Sequence, residues 1–134
     1  DDRLDLFYTG AGDTRSGKWQ QQYKNLPVIR LAELYLTRAE ANFRAGTSIG
    51  ASPLSDVNII RNRAGLSSLG AVVLADILKE RKLELAHEGH ALHDLKRLKQ
   101  SADGFAYNAD KMVLPVPQRE VDASGGVIAQ NSGY

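Results

Sequence analysis

Cysteine is absent from all 134 residues. That excludes disulfides, thiolate metal sites and a cysteine nucleophile, but it leaves the compartment open, because many exported proteins also lack Cys. An excess of one charge is absent too: 17 Lys and Arg stand against 16 Asp and Glu, and no basic patch with interleaved aromatics offers nucleic acid a footprint. No apolar run approaches the length that spans a bilayer. There is no Ser-His-Asp arrangement in a nucleophile-elbow context, no Gly-rich phosphate cradle and no dinucleotide fingerprint. The chain opens Asp1-Asp2-Arg3 without Met, signal peptide or lipidation site, which reads as a piece of a longer protein. What is there is ordinary for one globular domain, with 43% hydrophobic and 25% charged residues and enough length for a single core.

Residues 1–27 carry Gly, Asp, Ser, Thr and Gln with scattered aromatics and no lasting period, so they read as a loop-rich segment with room for one short strand. Residues 28–134 form the domain proper. Val28, Leu31, Ala32, Tyr35, Leu36, Ala39 and Phe43 recur at three- and four-residue spacing, with Leu34 and Ala41 widening the stripe, so a helix buried on more than one side is expected, ending at Gly46. Ser52-Pro53 marks the start of a second helix, with Ser as N-cap and Pro at the first helical position. Leu54, Val57, Ile60 and Ala64 share its face and Gly65 closes it. The pair spans close to the roughly 34-residue period of a tetratricopeptide helical hairpin. Leu74, Ile77, Leu78, Arg81 and Leu85 line a third helix expected to reach Glu88, and Leu92, Leu95 and Leu98 a fourth. The Lys111–Pro117 stretch has two prolines and begins an irregular, extended C-terminal strap. The fold class is therefore mainly α.

Chemistry concentrates between Glu80 and Arg97. Glu80, Glu84 and Glu88 at i, i+4 and i+8 stack on one helix face and repel by roughly 0.2–0.5 kcal/mol per pair. Cations must answer them, and Arg61, Arg63, Arg81, Lys96 and Arg97 are the expected donors, with Asp94 part of the same structural ion-pair network. His87, His90, His93 and Asp94 resemble a metal site only superficially: the i+3 spacing and the intervening Gly89 depart from the zincin pattern, so no metal and no cofactor is expected. Glu88 and Asp94 are read as structural rather than as an acid–base pair, since abundant cations keep carboxylates ionised while a catalytic acid needs its pKa raised. Trp19, with Tyr23, in a polar Gly-rich loop, is the candidate ligand contact, set against the plainer role of pinning that loop.

The blocks Leu26-Pro-Val-Ile-Arg-Leu-Ala-Glu-Leu-Tyr-Leu-Thr-Arg-Ala-Glu-Ala41, Val57–Gly65, Glu80–Arg97, Leu114-Pro-Val-Pro117 and Gln130-Asn-Ser-Gly-Tyr134, in this order, resemble the C-terminal region of the SusD/RagB family. Asp1–Leu4 is similar to the stretch preceding that region, and Ala91, His93 and Leu98 depart from the family pattern. The resemblance implies a largely helical fold built on tetratricopeptide-like pairs. It also implies a non-catalytic outer-membrane lipoprotein at the cell surface that captures glycans or other nutrients with a SusC-type TonB-dependent transporter. Its lipid anchor would lie outside this chain. Arg30, Glu33, Glu40, Asn58, Arg61, Arg63, Glu80, Arg81, Glu84, Glu88, Gly89, Asp94 and Arg97 fall on motif positions with structural roles. The alternative is a helical-repeat module that binds a protein or peptide in a groove.

Overall fold

The computed structural model describes residues 1–21, 23, 25 and 27–134; Leu26, which opens the first motif block, lies outside them. Among the described residues five α-helices carry most of the regular structure: α1 Leu31–Ala45, α2 Pro53–Arg63, α3 Leu74–Glu84, α4 His90–Arg97 and α5 Gln118–Ala123. They fall into two compact units, Asp1–His90 and Ala91–Tyr134.

The first unit is built around α1, which packs on both α2 and α3. Ala32, Leu36 and Ala39 from α1, Val57 and Ile60 from α2, and Ile77 from α3 form its buried core. Full burial of an aliphatic side chain such as Leu36, Val57 or Ile77 stabilises by about 1.5–3 kcal/mol each. The small Ala32 and Ala39 let the helices approach closely. Burial of α1 on further sides does not follow: Leu31, Leu34 and Ala41 are exposed, because α2 and α3 cover the Ala32–Leu36–Ala39 stripe and leave the flanks open.

The α1–α2 connection is set by local chemistry. Gly46 takes a left-handed conformation at φ 65° and ends α1, a geometry that penalises a Cβ. Buried Asn42 then organises the loop: its Oδ1 accepts from Thr47 Oγ1 and the Ile49 amide, and its Nδ2 donates to the Ile49 and Ala51 carbonyls. Ser52 Oγ accepts from the Ser55 amide and Pro53 occupies the first turn of α2, as the sequence pattern requires. Asp56, fully buried in that helix, is gripped by Arg38 through a two-pronged contact of 2.8 and 2.6 Å.

Two local expectations are corrected. Residues 1–27 hold a β-hairpin, Phe7–Gly10 paired antiparallel with Asp13–Ser16 in the register Tyr8↔Arg15, flanked by 3-10 segments at Asp2–Leu6 and Gly17–Trp19. Its strands are too short to establish an alternating pattern, and its turn uses Ala11 at φ 53°, a conformation that residue type does not announce. Helix α3 ends at Glu84, one turn before the expected Glu88, with His87 in the left-handed region at φ 63°.

In the second unit the strap is extended through Val113–Pro117, between a 3-10 turn at Asp110–Met112 and the short α5. Val116 is the one residue between two prolines that retains an amide. Gln130 supplies both of its partners: Oε1 accepts from the Val116 amide at 2.7 Å and Nε2 donates to its carbonyl at 2.8 Å. Asn131 donates to the Leu114 carbonyl, and the Tyr134 hydroxyl donates to that of Val113. The motif blocks Leu114–Pro117 and Gln130–Tyr134 are thus one structural feature, in which side-chain amides replace the ladder that proline denies.

Candidate functional site

Helix α3 turns two carboxylates inward. Glu80 and Glu84 are both buried, and desolvation of such groups costs several kcal/mol per ion unless cations and hydrogen bonds offset it. Arg3 Nη1 meets Glu80 Oε1 at 2.6 Å and Arg61 Nη1 meets its Oε2 at 3.3 Å. Arg30 Nη1 lies 2.9 Å from Glu84 Oε1, and Arg63 Nη2 lies 2.5 Å from Oε2. Arg3 is itself held by Asp1 through Nε and Nη2, each at 2.8 Å.

Glu88 sits past the helix, in the turn joining α3 to α4, and is clamped from two sides. Arg30 addresses both its oxygens, Nε to Oε2 at 2.8 Å and Nη2 to Oε1 at 2.7 Å, in the forked geometry a guanidinium provides. Lys18 Nζ donates to Glu88 Oε1 at 2.5 Å and to the Glu84 and Ala86 carbonyls at 2.8 Å, using all three ammonium donors. The Glu84 carbonyl also accepts from Arg30 Nη2. Cations at the carbonyl end of a helix are favoured by its dipole, and here they replace the lost helical turn.

Arg30 stands at the N-cap of α1 without a side-chain capping bond, since a guanidinium has no acceptor for the first-turn amides; its donors go to these carboxylates. Burial alone would lower its pKa, but the hydrogen bonds it donates to Glu88 and Glu84 outweigh that and raise it. For Glu88, burial alone would raise the carboxyl, whereas the hydrogen bonds from Arg30 and Lys18 hold it below its ordinary 4.5. A carboxyl whose pKa falls on folding contributes stability that is present above the unfolded pKa and lost as pH falls through the lower folded one. Glu88→Gln is therefore expected to be less stable than the parent at neutral pH, with the gap between their urea midpoints narrowing as pH drops below about 4.5. A gap that stays constant across that window would contradict the ion-pair assignment.

The row's cations differ in part from those expected. Arg61 and Arg63 reach it, and three cations beyond the expected donors join them: Arg3 and Lys18 from the N-terminal segment and Arg30, a motif position, from the N-cap of α1. Arg81 donates to Thr37 Oγ1 at 3.2 Å and lies 3.8 Å from Glu33. Asp94 and Arg97 pair with each other one turn apart on α4, at 2.7 Å, and Lys96, expected at the row, donates to the Met112 carbonyl. His90 Nδ1 lies 3.7 Å from Glu33, and the His87 ring meets the edge of Phe7 at 5.5 Å. Among the described residues no group of three or more His, Asp or Glu has the arrangement of a metal centre.

Trp19 donates its indole N–H to the His87 carbonyl at 2.8 Å while 45% of the residue stays exposed. Its polar edge pins the N-terminal segment to the α3–α4 turn and leaves ring surface in solvent. Tyr23 is 92% exposed.

Comparison with known proteins places this arrangement. The SusD family model matches residues 6–113. The chain belongs to the SusD family. It is 31% identical over 107 residues to a SusD-like protein of Bacteroides ovatus, covering 78% of this chain and 18% of that protein. It is 30% identical over 124 residues to the starch-binding protein SusD of Bacteroides thetaiotaomicron, covering 82% of this chain and 22% of the relative. Among solved structures, surface glycan-binding protein A from Bacteroides thetaiotaomicron superposes with a TM-score of 0.68 at 32% identity, over 81% of this chain and 25% of that one. The chain thus spans about a fifth of the length of these curated relatives, and its fold resembles that of the solved glycan-binding protein.

Proposed function

We propose that this SusD-family chain is part of a cell-surface protein that captures a glycan and does not cleave it. The observation that carries the reading is the family match over residues 6–113, which the chain shares with relatives named for binding starch and surface glycans. The carboxylate chemistry supports the non-catalytic part. A glycosidic general acid needs a raised pKa, whereas Glu88 is held low by Arg30 and Lys18, and Glu80 and Glu84 are each met by arginines. Arg61, Arg63, Glu80, Arg81, Glu84, Glu88, Asp94 and Arg97, joined by Arg3, Lys18 and Arg30, act structurally in this reading.

The partner is a SusC-type TonB-dependent transporter, and the location is the outer-membrane surface, reached through a lipid anchor on the longer protein. No helix among the described residues is long and apolar enough to cross a membrane. Trp19 and Tyr23, whose rings reach solvent, are the proposed sugar contacts.

Trp19 is the only tryptophan, so its emission reports on its own surroundings. Titration of the protein with starch-derived and other oligosaccharides should change that emission and release heat, without generating new reducing ends. Trp19→Ala should weaken binding by roughly tenfold, the equivalent of about 1.4 kcal/mol of ring stacking. Absence of binding to every glycan tested, or appearance of cleavage products, would contradict the reading.

A further inference from the structure

Two adjacent side chains of the N-terminal segment dock on three carbonyls of one turn. Lys18 Nζ donates to the carbonyls of Glu84 and Ala86, and Trp19 Nε1 donates to that of His87, each at 2.8 Å. A helix running on past Glu84 would commit these carbonyls to amides one turn further along. Here the helix stops, and His87 takes a left-handed conformation at φ 63°, which strains any residue that carries a Cβ. The residue under strain is the one whose carbonyl meets the indole.

The approach from the other side is fixed as well. Gly17 begins the 3-10 segment Gly17–Trp19, and a Cβ there would lie 2.9 Å from the Leu6 carbonyl oxygen, so only glycine lets the segment lie this close to the Asp2–Leu6 backbone. Ser16 Oγ accepts from the Lys18 amide and caps its start. On the far side of the turn the His87 ring meets the edge of Phe7. These contacts hold the indole with its N–H edge inward and ring surface in solvent. Because the N–H is occupied by the His87 carbonyl, a ligand at Trp19 meets aromatic surface and no donor from the indole.

We infer that His87 is the positioning residue of the Trp19 contact: its left-handed backbone, and not its imidazole, aims the carbonyl that fixes the plane of the indole. The ligand role of Trp19 rests on the glycan-capture reading, whereas the orienting role of His87 rests on the geometry of the turn. Substitutions at this position should therefore sort by backbone tolerance. Glycine enters the left-handed region freely, Asn readily, Ala with more strain and the β-branched Val worst.

The test uses His87→Gly, His87→Asn, His87→Ala and His87→Val in the intact protein. Trp19 is the only tryptophan, so acrylamide quenching and the emission maximum of the folded, ligand-free protein report on its ring alone. His87→Gly and His87→Asn should keep the parent's values. His87→Val should shift emission to longer wavelength and raise the quenching constant, with His87→Ala in between; if His87→Val does not melt cooperatively, His87→Ala against His87→Asn carries the comparison. Maltoheptaose, cellohexaose, xylohexaose and laminarihexaose are then titrated by calorimetry. For any that the parent binds, affinity should survive His87→Asn and fall in His87→Val toward the roughly tenfold loss expected of Trp19→Ala. Quenching that does not sort in this order, a loss in His87→Asn as large as in His87→Val, or one affinity throughout despite sorted quenching would overturn the inference. Sorted quenching with no glycan bound by the parent overturns the capture reading alone, and glycan binding with unsorted quenching overturns the role of His87 alone.

Discussion

Glu84→Ala should cost about 3–5 kcal/mol of unfolding free energy, the range for removing one partner of a buried ion pair. The loss is not the net worth of the salt bridge. Deleting the carboxylate leaves Arg30 and Arg63 facing one another across a space that Glu84 now fills, and Arg3 loses a charge 3.8 Å away. Glu120→Ala is the control: its pair with Arg119 is open to solvent on both sides, and a surface pair contributes about 0–1 kcal/mol. Urea denaturation of both variants checks the contrast. Equal, small effects would mean that the row on α3 is solvated rather than buried.

Leu36→Ala should cost about 2–5 kcal/mol, through lost transfer energy plus the cavity left among Ala32, Val57 and Ile77. Leu36 is completely buried in the core of the first unit. Leu34, two residues earlier on the same helix, is 54% exposed, and its replacement by Ala should change stability by no more than about 0.5 kcal/mol. The two substitutions remove the same atoms from the same helix, so their difference measures which face of α1 meets α2 and α3. Chemical denaturation gives it directly, and comparable losses at both sites would contradict the packing.

Much of this architecture is readable from residue order where the controlling chemistry is local. Ser52-Pro53 and Gly46 act on their own neighbours, so the end of α1 and the start of α2 follow from a left-handed glycine and side-chain capping. The Glu80–Glu84 spacing announces a helix face that needs cations, and Arg61 and Arg63 lie near enough in sequence to be named as donors. What decides the rest is distant. Lys18 takes the carbonyls of Glu84 and Ala86, 66 and 68 residues away, and so helps end α3 a turn early, while apolar periodicity by itself carries the helix on to Glu88. The left-handed conformation of His87 has no signature in residue type.

The hairpin at Phe7–Ser16 is hidden for a different reason: four-residue strands around an Ala-Gly turn present too little alternation to separate from loop. Gln130 and Asn131 show the converse. They stand out as a motif near the C-terminal end of the chain, but their purpose emerges only when Val116, fenced by Pro115 and Pro117, is seen to need a partner for its amide. Trp19 combines both cases, since its residue type marks it as a candidate ligand contact while its bond to the His87 carbonyl reveals an anchoring role.

A double-mutant cycle between Arg30 and Glu88 tests most directly whether the N-terminal side of α1 is locked to the end of α3 by charge. Arg30→Met, Glu88→Gln and the double variant, unfolded in urea at neutral pH, should give a coupling energy of about 1–3 kcal/mol, as expected for residues in one hydrogen-bonded network. Additive losses, with coupling near zero, would mean that guanidinium and carboxylate do not hold each other in solution and that the scaffold is secured by its apolar core alone.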